Sequence, residues 1–225
     1  MSQSDQELLA RCAEIGTSTW ADAMDTLGIV GVTQGITRRA GQGRVVGFAV
    51  TARHVWGELG DFEKSDFAVG RLVAATGPGR VLMVDAGGAC ISTFGGIASM
   101  AASKRDATAV VIDGACRDVD EIQETGLWLA SRHVTPLTGK TRLRLQSMGE
   151  AVTIGGVAVA EGDLVVGDDT GLIVMPRGRL EEVLVAAQQA LEVDGRVEQG
   201  IRDGMSFAEA AAAANYIPAS TGGRG

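Results

Sequence analysis

The chain has 225 residues, 45% of them hydrophobic but only 4% aromatic, with a formal net charge of -8. A surface that acidic excludes a phosphate backbone as the main partner, since nucleic-acid recognition needs a basic face. Small anionic substrates stay open wherever a local arginine overrides the field. The wealth of alanine, glycine and valine predicts a core of small aliphatic side chains. The length predicts one domain over 1–225, with a core at about 17–178 and C-terminal helices at about 179–215. The three cysteines (Cys12, Cys90, Cys116) form an odd set without a close pair, which points to a reducing compartment and no disulfide framework. The opening MSQSDQELLA is polar and acidic, unlike a signal peptide, and no apolar run reaches the roughly 20 residues of a membrane span. The expectation is a cytoplasmic protein without a membrane partner.

Taken in order, Asp5 to Ile15 places Leu8, Leu9, Cys12 and Ile15 at helical spacing and stops at Gly16. A second helix is expected from Ser18 to Leu27, capped by Ser18 or Thr19 and ended by Gly28. Residues 29–43 are glycine-rich without sustained periodicity, which predicts a loop. Arg44 to Trp56 is β-branched and predicts a strand, whereas Phe62 to Ala75 carries a helical stripe. Arg80 to Asp85 predicts a strand, Ala86 to Phe94 a loop, and Gly95-Gly96 the start of the helix IASMAASKRD. Ala109 to Asp113 is the next strand and 117–125 the next helix, ended by Gly126. Two strand–loop–helix units in succession predict an α/β fold with a parallel core. From Leu127 onward, short β-rich runs separated by glycine and acidic turns predict hairpins or a small barrel-like layer. Leu180 to Arg202 predicts a long amphipathic helix interrupted near Gly195. Ser206 would cap a last helix from Phe207 to Ala214, and the tail from Pro218 would be frayed.

Candidate chemistry is sparse. His54 and His133 lie far apart, and no Cys or His pair has zinc spacing. A hard cation held by carboxylate and water is the remaining metal option. Lys64, Lys104 and Lys140 are the only lysines, and none falls in an apolar strand that would depress its pKa for imine chemistry. Cys116 adjoins Arg117, which favours a thiolate, yet a buried structural thiol is the better expectation. Gly95-Gly96 before a helix leaves the amides of Gly96, Ile97 and Ala98 free to hold a carboxylate; glycine for tight strand–helix packing explains the pair equally well. Asp118 beside Arg117, taken alone, is more simply a helix-start acid than a metal ligand. Gly167 to Gly171 reads as a hairpin turn rather than a calcium loop. Glu192, Asp194 and Glu198 read as a solvated helix face.

Gly95-Gly96 followed by Arg117-Asp118 and Glu121 resembles the signature of the class II 4-hydroxy-4-methyl-2-oxoglutarate / 4-carboxy-4-hydroxy-2-oxoadipate aldolases and the related RraA-like proteins. STWADAMDTLG, GRVVGFAVTA, VTIGGVAVAEGDLVVGDDTGLIVMP and IRDGMSF are similar to other family segments, so that the resemblance covers most of 17–207. It implies a layered β/β/α swivelling-domain fold with a C-terminal helical extension, assembled as a homotrimer or homohexamer. It implies that Arg117 binds the substrate carboxylate and keto oxygen, and that the amides of Gly95, Gly96, Ile97 and Ala98 hold the pyruvyl carboxylate. Asp118 would hold a divalent cation, Mg2+ first and Mn2+ as the alternative. Many aldolase members carry an acid where Gly96 stands. Here Glu121 and, across a subunit boundary, Glu192 are the candidates for an outer acid, with Asp113, Asp120 and Glu121 as supporting acids that steady Arg117.

The implied reaction is metal-dependent retro-aldol cleavage of a 4-hydroxy-2-oxo dicarboxylic acid to release pyruvate. Oxaloacetate decarboxylation would be a side activity through the same enolate. The alternative from the same family is a non-enzymatic regulator of a ribonuclease E-type enzyme. The regulator of that kind lacks the metal-binding aspartate that this chain keeps at Asp118, which favours chemistry.

Overall fold

The computed structural model describes residues 2–216. Helices α1 (Gln3–Ala13) and α2 (Thr17–Thr26) precede β1 (Thr37–Ala40), β2 (Val45–Trp56), α3 (Val69–Ala75) and β3 (Arg80–Asp85). Then come β4 (Ser92–Phe94), α4 (Gly96–Ser103), β5 (Ala109–Cys116), α5 (Val119–Glu124) and β6 (Leu129–Val134). The second half holds β7 (Leu143–Met148), β8 (Val152–Ile154), β9 (Val157–Val159), β10 (Leu164–Gly167), β11 (Leu172–Met175), α6 (Leu180–Arg202) and α7 (Phe207–Ala214).

The main sheet runs β1-β6-β5-β3-β2-β10-β11, with β4 added to β5 and β7 to β2. Its centre, β2, β3, β5 and β6, is parallel, and the strands at both margins are antiparallel. The period-2 alternation of strands divides the side chains of the centre between two faces. Leu82, Val84, Val110 and Ile112 meet Leu72 of α3, Ala102 of α4 and Ile122 of α5 on one face. Val81, Met83, Ala109 and Val111 meet Val152, Ile154, Val157 and Val159 of the β8–β9 hairpin on the other. Helices, sheet and hairpin therefore make the β/β/α layering expected from the resemblance. A further core joins α1, α2 and α6 to β10 and β11 through Trp20, Met24, Leu164, Ile173 and Val183.

Several local expectations change. The predicted loop 29–43 contains β1, a four-residue edge strand of sequence TRRA paired with β6 and too short to show a period. The loop 86–94 contains β4. The predicted helix Phe62 to Ala75 is split into a 3-10 turn, Lys64–Phe67, and α3, because Ala68 takes a left-handed conformation with φ 46°. The strand expected to stop at Asp113 continues to Cys116. Helix α6 runs unbroken through Gly195. A mid-helix glycine costs only about 1 kcal/mol, and the packing of Val183, Leu184 and Ala187 in the α2–α6 core outweighs it.

Neither Ser18 nor Thr19 caps α2. The first residue is Thr17, and its amide and hydroxyl both donate to Asp168 in the β10–β11 turn, at 3.2 and 2.7 Å. Burial acts to raise the Asp168 carboxyl, but these bonds and those from the Thr170 and Gly171 amides win, holding it below the usual carboxylate range. The hairpin turn reading of 167–171 thus holds, with a tertiary cap added. Ser206 caps α7 as expected, in a reciprocal box with Glu209. The tail from Pro218 lies outside the described residues.

Candidate active site

Strand β5 is buried along its whole length and delivers Arg117 to a defined point: the Arg117 amide donates to the Phe94 carbonyl at 3.0 Å, joining the ends of β4 and β5. Asp118 then adopts φ 54° and ψ 45°, the left-handed region that non-glycine residues rarely take. It occupies the N-cap position of α5 but makes no side-chain cap there. Its carboxylate turns instead to α4, accepting from the Gly96 amide at 3.2 Å and standing 3.3 Å from Arg117 Nε. Strain kept where it does not serve the local helix is a mark of a functional position.

Both glycines follow from this arrangement. A Cβ on Gly95 would stand 2.6 Å from Asp118 Oδ2 and 3.0 Å from the Cγ and Nε atoms of Arg117. A Cβ on Gly96 would stand 1.8 Å from Glu121 Oε2 and 2.8 Å from Glu121 Cβ. Side chains from the β5–α5 junction therefore lie directly on the backbone that opens α4. The two explanations left open by the sequence are one feature: glycine permits the close packing, and the packing brings Arg117 and Asp118 to a helix amino end. Among the described residues the Ile97 and Ala98 amides donate no hydrogen bond, while the Gly96 amide is engaged by Asp118.

A cleft of about 360 Å³ opens at this point, lined by Gly95, Ile97, Ala98, Arg117 and Asp118. Gly96 faces away, into an adjoining hollow shared with Glu121 and Lys104. The rest of the lining was not found from sequence. It comprises Phe67, Val69 and Val73 around α3, Thr93 on β4, and Thr138 with Lys140 in the turn before β7. The Thr93 hydroxyl is buried without a partner among the described residues. Behind the wall, His54 on β2 stacks on Phe67 with centroids 5.8 Å apart and meets the Phe67 carbonyl through Nε2 at 3.2 Å. Burial holds its pKa down at about 4, so the ring is neutral and structural. The only signal for this wall was the apolar stripe of 62–75, which reads equally well as core.

Other expectations are redirected. Asp113 does not steady Arg117. It binds Arg132, with Nε at 2.5 Å from Oδ1 and Nη2 at 3.1 Å from Oδ2, and accepts the Gly155 amide at 2.7 Å. The reason is strand alternation: Asp113 points to the hairpin face. Cys116 is buried, and burial pushes its thiol up, so it is no nucleophile. Glu192 is exposed on α6, which packs on α2 and α7 and does not line the cleft.

For a metal, Asp118 is the one carboxylate that lines the cleft among the described residues. Among the described residues no group of three or more His, Cys, Asp or Glu is placed to hold an ion. Zinc, which needs three or four protein ligands, does not fit. A small hard cation that keeps most of its water shell does, since one or two carboxylates suffice for it. The Asp118 side chain, 35% exposed at the mouth of the cleft, leaves room for that water.

Comparison with known proteins bears on the family and the fold. A family model described as "RraA-like: Aldolase/RraA" matches residues 17–174. A protein of Halalkalibacterium halodurans, provisionally named 4-hydroxy-4-methyl-2-oxoglutarate aldolase, is 29% identical over 90% of this chain and 92% of its own. A protein of Pseudomonas aeruginosa with the same provisional name is 37% identical over 45% of this chain and 62% of its own. Among solved structures, an uncharacterized protein from Pseudomonas syringae superposes with a TM-score of 0.79 at 26% identity, covering 91% of this chain and 96% of that one. RraAS2 of Streptomyces coelicolor, described as an unusual member of the RNase ES inhibitor RraA protein family, superposes with a TM-score of 0.74 at 26% identity, covering 84% and 95%.

Proposed function

Because the chain belongs to the RraA-like family, we propose that it is a divalent-metal-dependent aldolase that cleaves a 4-hydroxy-2-oxo dicarboxylic acid and releases pyruvate. The observation that carries this reading is the packing of Arg117 and Asp118 onto Gly95 at the amino end of α4, inside one cleft. The names of the aldolase relatives support it.

In the reaction the C4 hydroxyl loses its proton, a C4 carbonyl forms and the C3–C4 bond breaks. The electron pair of that bond enters C3 and delocalises onto the C2 oxygen as an enolate; protonation at C3 completes pyruvate. Arg117 supplies a planar guanidinium with paired donors, which we assign to the C1 carboxylate and the C2 oxygen. The Ile97 and Ala98 amides hold the C1 carboxylate at the positive end of α4. Asp118 holds the cation, Mg2+ first and Mn2+ as the alternative. When bound, that cation supplies a second positive charge to stabilise the developing oxyanion. Decarboxylation of oxaloacetate passes through the same enolate and is the expected side activity.

We also place Ile97 and Met100, the exposed apolar side chains of α4, against a neighbouring copy in a homotrimer or homohexamer, with Glu192 as the acid brought across. Light scattering on the active protein checks this, and an active monomer would refute it. No described helix is long and apolar enough to cross a membrane.

The test of the main reading is pyruvate release from 4-hydroxy-4-methyl-2-oxoglutarate and from oxaloacetate, followed with lactate dehydrogenase. Activity should need Mg2+, stop with EDTA and fall at least 100-fold in Asp118→Ala, about 2.7 kcal/mol of transition-state stabilisation. Equal rates for that variant and wild type would defeat the metal role. Similarity to RraAS2 supports a second reading, a non-catalytic regulator of a ribonuclease E-type enzyme. That reading predicts inhibition of RNA cleavage and no pyruvate.

A further inference from the structure

The pattern of 62–75 reads as one continuous helical stripe, yet the chain breaks at Ala68, which takes φ 46° and ψ 30° between the 3-10 turn Lys64–Phe67 and α3. Alanine is the strongest helix former and avoids the left-handed region, so something other than local preference holds the break. In a continuous helix the Arg71 amide would donate to the Phe67 carbonyl four residues back. Here it donates to the Ala68 carbonyl at 2.9 Å, and no backbone amide of the described residues reaches the Phe67 carbonyl. The partner of that carbonyl is His54 Nε2, at 3.2 Å. A carbonyl only accepts, so Nε2 carries the ring proton of the neutral imidazole. Two features of β2 aim His54 there. Strand alternation puts it on the same face as Val50 and Ala52, the face that packs on the helices. The pairing with β7 is also irregular at this point, passing from Arg53↔Ser147 to His54↔Leu145, and an extra residue of this kind re-aims side chains.

The residue type is informative. Phenylalanine would fill the same space and stack on Phe67 equally well, whereas the histidine ring leaves Nδ1 buried without a partner among the described residues. A polar ring with one nitrogen unpaired is a poorer filler than an apolar one. What it adds is the donor for Phe67. Residues on both sides of the break line the cleft: Phe67 before it, and Val69, Gly70 and Val73 after it. Phe67 also supports the turn before β7, since a Cβ on Gly139 would stand 2.6 Å from its Cε2. Closing the break would rotate Phe67 relative to α3 and reshape that side of the cleft. We propose that His54 is a positioning residue: by donating to the Phe67 carbonyl from Nε2, it holds the break at Ala68 and keeps the cleft in its binding-competent shape. His54 touches no substrate and acts through Phe67. The kinetic consequence rests on the aldolase reading, whereas the structural one rests on the backbone geometry alone.

His54→Phe keeps the stacked ring and removes the donor. The balance should then shift toward the continuous helix by about ten-fold at most, the worth of a neutral hydrogen bond. A shortage of the competent form raises KM and spares kcat, because saturating substrate selects that form; a loss of folded enzyme would lower kcat instead. With the 4-hydroxy-2-oxo acid that the wild type cleaves, KM of His54→Phe should rise about three- to ten-fold and kcat should stay within about two-fold. His54→Gln, whose amide reaches the same carbonyl, should recover most of the loss. Ala68→Gly removes the left-handed penalty, and in the His54→Phe background it should bring KM back toward wild type. Crystal structures read the backbone without any substrate. His54→Phe should show Ala68 right-handed with the Arg71 amide on the Phe67 carbonyl, and the double variant should show the break restored. If His54→Phe does not fold, His54→Met takes its place in the same series. An unchanged KM with Ala68 still left-handed, a loss confined to kcat, or a KM that neither Gln nor Ala68→Gly restores would overturn the positioning role and leave the aldolase reading intact. A wild type that cleaves no 4-hydroxy-2-oxo acid would overturn the aldolase reading, and the conformation of Ala68 in the variant crystals would then decide the role of His54 by itself.

Discussion

Strand β5 positions two arginine–aspartate pairs that differ in almost every physical respect: Asp113 within it binds Arg132 of β6, and Arg117 and Asp118 directly follow its last residue. Asp113 is 6% exposed, grips Arg132 through two oxygens and also takes the Gly155 amide, so its acceptor capacity is largely used. Its register neighbour Asp85 does the same for the hairpin through the Thr153 amide at 3.1 Å, beside Arg53. Arg117 and Asp118 are each about one-third exposed, share a single 3.3 Å contact and sit on a strained backbone. A pair that has satisfied all its neighbours can only hold the fold together. A pair with spare donors and acceptors, facing a cleft, is available to a ligand. The first two carboxylates fasten the β8–β9 layer to the sheet, and the second pair is held ready at its opposite face.

The largest expected effect breaks the saturated pair. Asp113→Ala leaves the buried Gly155 amide without its acceptor and the part-buried Arg132 guanidinium with only the Gln34 carbonyl, at a combined cost of about 3 kcal/mol. Urea unfolding should show it as a lower midpoint with an unchanged slope. A loss below about 1 kcal/mol would place Asp113 with the surface pairs.

A comparable effect is read by pH, at a buried group that belongs to neither pair. His54 has its pKa lowered from 6.5 to about 4 by burial. Between those values the unfolded chain binds a proton that the folded chain does not, so stability rises with pH through this window and falls as pH drops from 6.5 toward 4. Two and a half units at about 1.36 kcal/mol each amount to about 3 kcal/mol. His54→Phe should flatten the stability profile over that window, and an unchanged slope would show that another group titrates there.

Next comes the unsaturated pair itself. Arg117→Ala should cost at least about 2 kcal/mol of transition-state stabilisation, seen in kcat as well as kcat/KM. Unfolding should move by less than about 1 kcal/mol, because the lost contacts are those of a part-exposed side chain. A change in KM alone would reduce Arg117 to a substrate anchor.

What the sequence made legible follows the same division. The βαβ centre was visible because Val81 to Val84 and Ala109 to Ile112 are unbroken apolar runs, buried on both faces. The glycines and Arg117-Asp118 were visible as a resemblance, and the α4 amino end as a Gly-Gly helix start. The partners of those residues were not. Asp113 and Arg132 are 19 residues apart and meet only because β5 and β6 are neighbours. Asp168 reaches Thr17 across 151 residues, so the nearby Ser18 and Thr19 seemed the natural caps. Nothing in the local pattern places Lys140 near the site, and only the folding of its turn against Ser92 brings it to the cleft. Local pattern predicts which segments are buried; it does not predict which charges meet.

The smallest expected change in stability is the sharpest test of the contrast. Asp118 at φ 54° is strained, and glycine adopts that conformation without penalty. Asp118→Gly gives up one long bond from the Gly96 amide and an acid at the start of α5, worth about 0.3–1 kcal/mol near a helix amino end. It also adds freedom to the unfolded chain. Relief of the left-handed strain offsets these losses by a similar amount, about 1 kcal/mol. The net change in unfolding free energy should lie within about 0.5 kcal/mol of zero, while pyruvate release disappears with the cation's carboxylate. If Asp118→Gly instead lost more than about 2 kcal/mol, Asp118 would belong with Asp113, and its strained geometry would be explained by the fold rather than by a ligand.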